Sequence, residues 1–131
     1  MIIGIGHDIS SLERMDKMIQ GDSGAKFMRR ILTERELELA EAAGGKRLVE
    51  FTAGRFAVKE AVSKAFGCGI GSKLSFRDIE VDRHESGKPV CRLTDGAWER
   101  LGLMQAKTTI HVTITHDQSL ASAFVIVERL D

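Results

Sequence analysis

Hydrophobic spacing divides the chain into a strand, a run of helices and a second run of strands. From Ile2 to Ile9 isoleucines alternate with Gly4 and Gly6, which predicts a short buried strand with one bare face open to another backbone or a ligand. By the two-residue period Asp8 falls on that bare face, either to cap the next segment or to do chemistry. Ser10 and Glu13 form a capping box for a helix carrying Leu12, Met15, Met18 and Ile19. After the Gly21–Gly24 break come Lys26, Arg29 and Arg30, which with Arg14 and Lys17 make a locally basic stretch. A second box, Thr33 to Glu36, opens a helix over Glu34–Ala43 that Gly44-Gly45 ends.

The central stretch, Phe51–Gly67, has apolar or small residues around most of its circumference and predicts a largely buried helix, beginning near Leu48 and stopped by Gly67. Glu60 and Lys64 share one of its faces. They are either a solvated pair worth about 0.2–0.5 kcal/mol to the helix, or groups kept to hold a metal ion or a phosphate, since unpaired burial of charge is costly.

Beyond Gly71 the helical period is lost. Ile79–Val81 and Val90–Leu93 read as strands around the turn Glu85–Pro89, whose Gly87-Lys88 either presents N–H groups and an ammonium to an anion or simply turns a hairpin. Asp95–Leu103 is a short helix with Trp98 and Leu101 inward. Thr109–Thr115 alternates as a half-buried strand, a turn at His116-Asp117-Gln118 follows, and Ala121–Val127 completes a hairpin. His111 lies mid-strand, where packing is the ordinary role; His116 stands at a strand end, where a histidine can reach a site. This order predicts an α+β fold, mainly antiparallel sheet with a long central helix and shorter helices.

Composition narrows the function classes. At 131 residues the chain is expected to be a single domain, 1–131, with 43% apolar residues and 19 basic against 19 acidic side chains, so no global field points to nucleic acid or membrane. No apolar run approaches 18 residues, and the N-terminus does not read as a signal peptide. Cys68 and Cys91 lack a CxxC partner and are expected to be reduced, which points to a cytoplasmic protein. No dinucleotide fingerprint, Walker motif, serine triad or metal-spaced Cys/His set is present. The remaining constellation is Asp8, Glu60, Lys64, His116 and the Gly87-Lys88-Pro89 turn.

These segments together resemble the holo-acyl-carrier-protein synthases, the small bacterial type of phosphopantetheinyl transferase. The likeness rests on Gly4-Ile5-Gly6-His7-Asp8-Ile9, Leu32-Thr33-Glu34-Arg35-Glu36-Leu37 and Gly54-Arg55-Phe56-Ala57-Val58-Lys59-Glu60-Ala61-Val62-Ser63-Lys64-Ala65-Phe66-Gly67. Gly87-Lys88-Pro89 and Thr113-Ile114-Thr115-His116-Asp117 complete it. His7 stands where a small residue is usual and is expected to alter metal or substrate access; Leu32 and Thr115 replace a common Phe and Ser.

The resemblance implies Mg²⁺-dependent transfer of phosphopantetheine from coenzyme A to a serine of apo-acyl carrier protein, releasing adenosine 3′,5′-bisphosphate, in support of fatty acid biosynthesis. It implies a homotrimer with sites between subunits. Asp8 and Glu60 would be Mg²⁺ ligands and, with Lys64 on the diphosphate, the catalytic set. Gly87, Lys88, Pro89 and His116 would hold the nucleotide end, and Arg14 would meet the acidic carrier. The same carboxylates would also suit a Mg²⁺-dependent nucleotide-diphosphate hydrolase, and the basic stretch alone would suit a non-catalytic module for an acidic helical protein.

Overall fold

The computed structural model describes all residues, Met1–Asp131. Strand β1 (Ile2–Ser11) is followed by helices α1 (Leu12–Gln20), α2 (Gly24–Ile31), α3 (Glu34–Ala43) and α4 (Gly45–Ala65). Then come β2 (Ile79–Arg83), β3 (Pro89–Leu93), α5 (Asp95–Leu101), β4 (Thr108–His116) and β5 (Leu120–Arg129). Strands β1, β5 and β4 form an antiparallel sheet in that order, and β2 and β3 form a separate antiparallel hairpin. The expected α+β class and antiparallel pairing are found.

Helix α4 is the element on which the others pack. Its buried residues Ala57, Val58, Ala61, Val62 and Ala65 meet Val125 and Val127 of β5 and Ile79, Val81 and Leu93 of the hairpin in one core, while Ala53 and Val49 pack with Leu12, Met15 and Ala121 in a second. Phe66 and Trp98 close that core edge to face, with ring centroids 6.0 Å apart.

The bare face of β1 lies directly on this helix. A Cβ at Gly4 would stand 1.7 Å from the Ala65 carbonyl oxygen, and one at Gly6 would stand 1.8 Å from that of Ala61. Only glycine admits such an approach, so the backbone anticipated over the bare face is that of α4.

The strand is not buried as expected. Ile3 packs against the core, but Ile5 and Ile9 point away from it, 59% and 54% exposed, because the glycine face has taken the helix. In register beside them stand Ile126, Phe124 and Ser122 of β5, leaving an outer sheet face with Phe124 43% exposed. His7 lies on this face, stacked on Phe124 at 5.3 Å with Nε2 3.0 Å from the Ser122 hydroxyl. It therefore turns away from Asp8, and the expected effect on metal access has no basis in its side chain.

Several boundaries shift for local reasons. Ser10 stays in the strand opposite Ala121, buried, so the cap of α1 is Ser11, which accepts from the Arg14 N–H at 3.2 Å. The basic stretch Gly24–Ile31 is itself a helix, its Met28 and Ile31 buried at helical spacing. Gly44, at φ 64°, separates α3 from α4 without an intervening loop, so α4 begins at Gly45 rather than near Leu48. Strand β4 runs through His116, and α5 ends at Leu101 against Gly102 in the left-handed conformation. Both cysteines are free, and burial pushes the Cys91 thiol up to about 12.

The Thr33–Glu36 box forms as expected, but Glu36 does more than cap. It is fully buried and takes Lys59, also fully buried, at 2.5 Å, while its other oxygen accepts the Val81 N–H at 2.8 Å. Desolvation lowers the Lys59 pKa against the opposing pull of Glu36.

The glycine contact should be intolerant of even a methyl group. Gly6→Ala drives a Cβ into the α4 backbone, and we expect a loss of about 3 kcal/mol in stability by denaturant unfolding; an unchanged midpoint would mean that α4 can retreat freely.

Candidate active site

Because β1 presses on α4, the side chain next along its inner face reaches the helix surface one turn before the helix ends. Asp8 receives Lys64 Nζ on Oδ1 at 2.9 Å, and the same ammonium donates to the His7 carbonyl at 3.2 Å. Lys64 is half exposed while the Asp8 side chain is only 17% exposed, so the pair lies at a rim with the carboxylate inward. Such a pair adds at most about 1 kcal/mol to stability.

Glu60 lies one helical turn before Lys64 and is half-buried. Burial raises its pKa, the nearby Asp8 charge raises it further, and Lys64 offsets part of the rise. Asp8, Glu60 and Lys64 are thus one electrostatic unit: two carboxylates, one partly desolvated, beneath one ammonium. Asp8 and Glu60 form no larger cluster with histidines, cysteines or other acids, since no group of three or more such side chains converges. Two carboxylates with open surroundings suit a hard ion that keeps waters and takes substrate oxygens, as Mg²⁺ does, and do not suit a closed zinc site.

His116 is not with them. It closes β4 two strands from β1, and α4 passes between, so the predicted constellation is divided across the helix. His116 Nδ1 lies 3.9 Å from Glu50 Oε2, beside a cleft of about 190 Å³ whose walls include Arg47, Arg55, Arg83 and Gly54. Arg55 is 5% exposed, lies 3.8 Å over the Phe51 ring, and has an Nε without a hydrogen-bond partner. Burial, then the Arg83 charge, lower its pKa to about 10. Three guanidinium groups, one with an unpartnered donor, outnumber the Glu50 carboxylate in this lining, a donor set that suits an anion. Sequence reasoning missed the three arginines; Arg55, a charge inside the apolar run of α4, was the available signal.

The Gly87-Lys88-Pro89 turn joins β2 to β3, with Gly87 at φ 89°. Arg83 Nη1 donates to the Gly87 carbonyl at 2.9 Å, so an arginine of the His116 cleft also steadies this turn. The hairpin and His116 therefore make one half of the constellation, and Asp8, Glu60 and Lys64 the other.

Arg14 is exposed on α1 and borders a cleft with Ile9, Met15, Met18 and Phe56. Phe56 lies one turn before Glu60 on α4, so this cleft leads from the basic helix toward the carboxylates. A further groove along α1 and α2 carries Lys17, Lys26, Arg30 and Phe27.

The electrostatic unit can be read by titration. In metal-free protein, Asp8→Asn should lower the Glu60 carboxyl pKa and Lys64→Met should raise it, followed by carbon-13 NMR of the glutamate side chains. If neither substitution moves the Glu60 midpoint, the three groups are not coupled.

Comparison with known proteins identifies the family over nearly the whole chain. The family model described as the 4'-phosphopantetheinyl transferase superfamily matches residues 4–124. A holo-[acyl-carrier-protein] synthase from Bacillus mycoides (strain KBAB4) is 47% identical over 128 residues, covering 98% of this chain and 97% of the relative. A crystal structure of a holo-(acyl-carrier-protein) synthase from Bacillus anthracis in complex with CoA superposes with TM-score 0.83 at 44% identity, covering 98% of each chain. The Helicobacter pylori holo-[acyl-carrier-protein] synthase in complex with coenzyme A gives 0.80 at 32% identity, covering 95% of this chain and 99% of that one. With the family model, the relatives and the fold in agreement, the chain belongs to the 4'-phosphopantetheinyl transferase superfamily, among the transferase enzymes called holo-acyl-carrier-protein synthases.

Proposed function

We propose that residues 1–131 act as one catalytic domain that moves phosphopantetheine from coenzyme A to a serine hydroxyl of apo-acyl carrier protein, dependent on Mg²⁺, in the cytoplasm and in support of fatty acid biosynthesis. The observation that carries this reading is the Asp8–Lys64 ion pair, with Glu60 one turn earlier on α4 and within the field of the Asp8 charge. Asp8 and Glu60 would hold the divalent ion, which supplies positive charge against the diphosphate oxygens as charge develops on them.

The chain's own residues supply the rest. Lys64, released from Asp8 by a competing anion, places its ammonium on the same diphosphate and stabilises the leaving phosphate oxygen. Glu60, directly or through a water, takes the proton from the attacking serine oxygen. That oxygen forms the new bond to the phosphopantetheine phosphorus, and the bond to the adenosine-bearing phosphate breaks, releasing adenosine 3′,5′-bisphosphate. Arg47, Arg55, Arg83 and His116 form the pocket for the phosphate-bearing nucleotide end, with Gly87, Lys88 and Pro89 against the base. Arg14 and the basic residues of α1 and α2 steer the acidic carrier toward Phe56 and the carboxylates.

A trimer with shared sites accounts for the division of the constellation by α4. One copy would offer Asp8, Glu60 and Lys64, and its neighbour the His116 cleft and hairpin. The outer face of the three-stranded sheet, with Ile5, Ile9 and Phe124 exposed, supplies apolar surface for that contact.

Incubation with coenzyme A, Mg²⁺ and apo-carrier protein should raise the carrier mass by one phosphopantetheine group, and Glu60→Ala should abolish the gain while carrier binding persists. Absence of a mass gain, or turnover of coenzyme A without carrier, would overturn the transferase reading, the second in favour of a hydrolase. Mixing inactive Asp8→Ala and His116→Ala subunits should recover measurable activity if sites are shared; silence after full subunit exchange would mean self-contained sites.

A further inference from the structure

Nothing in the reaction as outlined uses the buried Lys59–Glu36 pair, although Lys59 is the immediate neighbour of Glu60. Lys59 Nζ donates to Glu36 Oε1 at 2.5 Å and to the Ile31 carbonyl at 2.7 Å. Glu36 Oε1 also accepts the Thr33 N–H at 2.9 Å, and Oε2 accepts the Val81 N–H at 2.8 Å. Both side chains are wholly inaccessible. One ion pair therefore joins the end of α2, the start of α3, strand β2 and the middle of α4.

Stability does not account for it, because apolar side chains of similar volume commonly replace a buried ion pair at no loss. Small Ala61 and Ala65 favour one rotation of α4 against β1, but the apolar surface elsewhere on the helix is a weak guide to which way it faces. Its apolar residues surround it, hydrophobic burial is non-directional, and its contact with Gly4 and Gly6 is made by backbone at Ala61 and Ala65. Packing of that kind fixes the distance of the helix from the sheet more strongly than its rotation. Successive helical residues stand about 100° apart, so a slip of one residue would carry Glu60 into the core and Lys59 toward Asp8. Hydrogen bonds to a fixed carbonyl and a fixed carboxylate are directional and forbid that slip.

We propose that the Lys59–Glu36 pair is a positioning device for the reaction: it sets the rotation of α4 so that Glu60 faces Asp8. The inference rests on the reading of Asp8 and Glu60 as the divalent-ion pair. Lys59 touches neither substrate nor ion, and acts through the helix it anchors.

The test replaces the pair with apolar groups, Lys59→Met/Glu36→Leu, and measures denaturant midpoint, Mn²⁺ binding by calorimetry with coenzyme A present, and steady-state transfer. We expect a midpoint near that of the parent, Mn²⁺ affinity and kcat each about tenfold lower, and KM for the carrier within about twofold. A folded double variant with parental Mn²⁺ affinity and parental kcat overturns the proposal, leaving the pair as packing. Should the double variant fail to fold, Glu36→Gln, which keeps the shape and an acceptor, is judged by the same Mn²⁺ and kcat readouts. Asp8→Asn in the parent separates the two readings: if it leaves Mn²⁺ binding unchanged, the ion-pair assignment falls and the positioning role with it, whereas loss there with no loss in the double variant overturns the positioning role alone.

Discussion

The close seating of β1 on α4 governs what the rest of the chain can do. Two glycines allow backbone to meet backbone, and this brings the next inner side chain, Asp8, onto the surface of a helix that would otherwise hold a strand farther off. Without it, a carboxylate on an edge strand and a glutamate on a helix would be separated by the thickness of two side chains. Stability and chemistry are therefore set by the same pair of missing methyl groups.

The same seating explains how the surface is distributed. Once the inner face of β1 is committed to α4, Ile5 and Ile9 have nowhere to go but outward, where they lie in register with Ile126 and Ser122 of β5, on either side of Phe124. Helix α4 then stands between the carboxylates and the arginine cleft, so a single chain presents two anion-facing regions rather than one. Both features arise from one packing decision.

Much of this was legible from local spacing. The alternation of glycine with isoleucine placed Asp8 on the helix side of its strand, and the Thr33–Glu36 box marked the start of α3 at the right residue. The apolar circumference of Phe51–Gly67 marked α4, and the glycines at 44 and 45 marked the end of α3 but not the start of α4, which was expected near Leu48. What spacing could not give is which partner each charge finds. Glu36 read only as the capping-box partner of Thr33, yet it is buried because Lys59 reaches it from α4. Arg47, Arg55 and Arg83 lie on different turns and elements, and only the folding of β2 against α4 gathers them. His7 has the opposite parity to Asp8, so its outward position followed from the period, but the meaning of that position required knowing that β1 has an exposed face. The similarity of the whole motif set carried the functional reading well beyond what spacing supported.

The ammonium on Asp8 has a thermodynamic consequence. Where a protein gathers acids around a metal and nothing else, their mutual repulsion ties folding to occupancy, and chelators unfold it. Here Lys64 neutralises one acid from within the chain, and partial desolvation weakens the ionisation of the other. The architecture thus carries its own counter-charge, and the repulsion between its two acids is offset from within the chain.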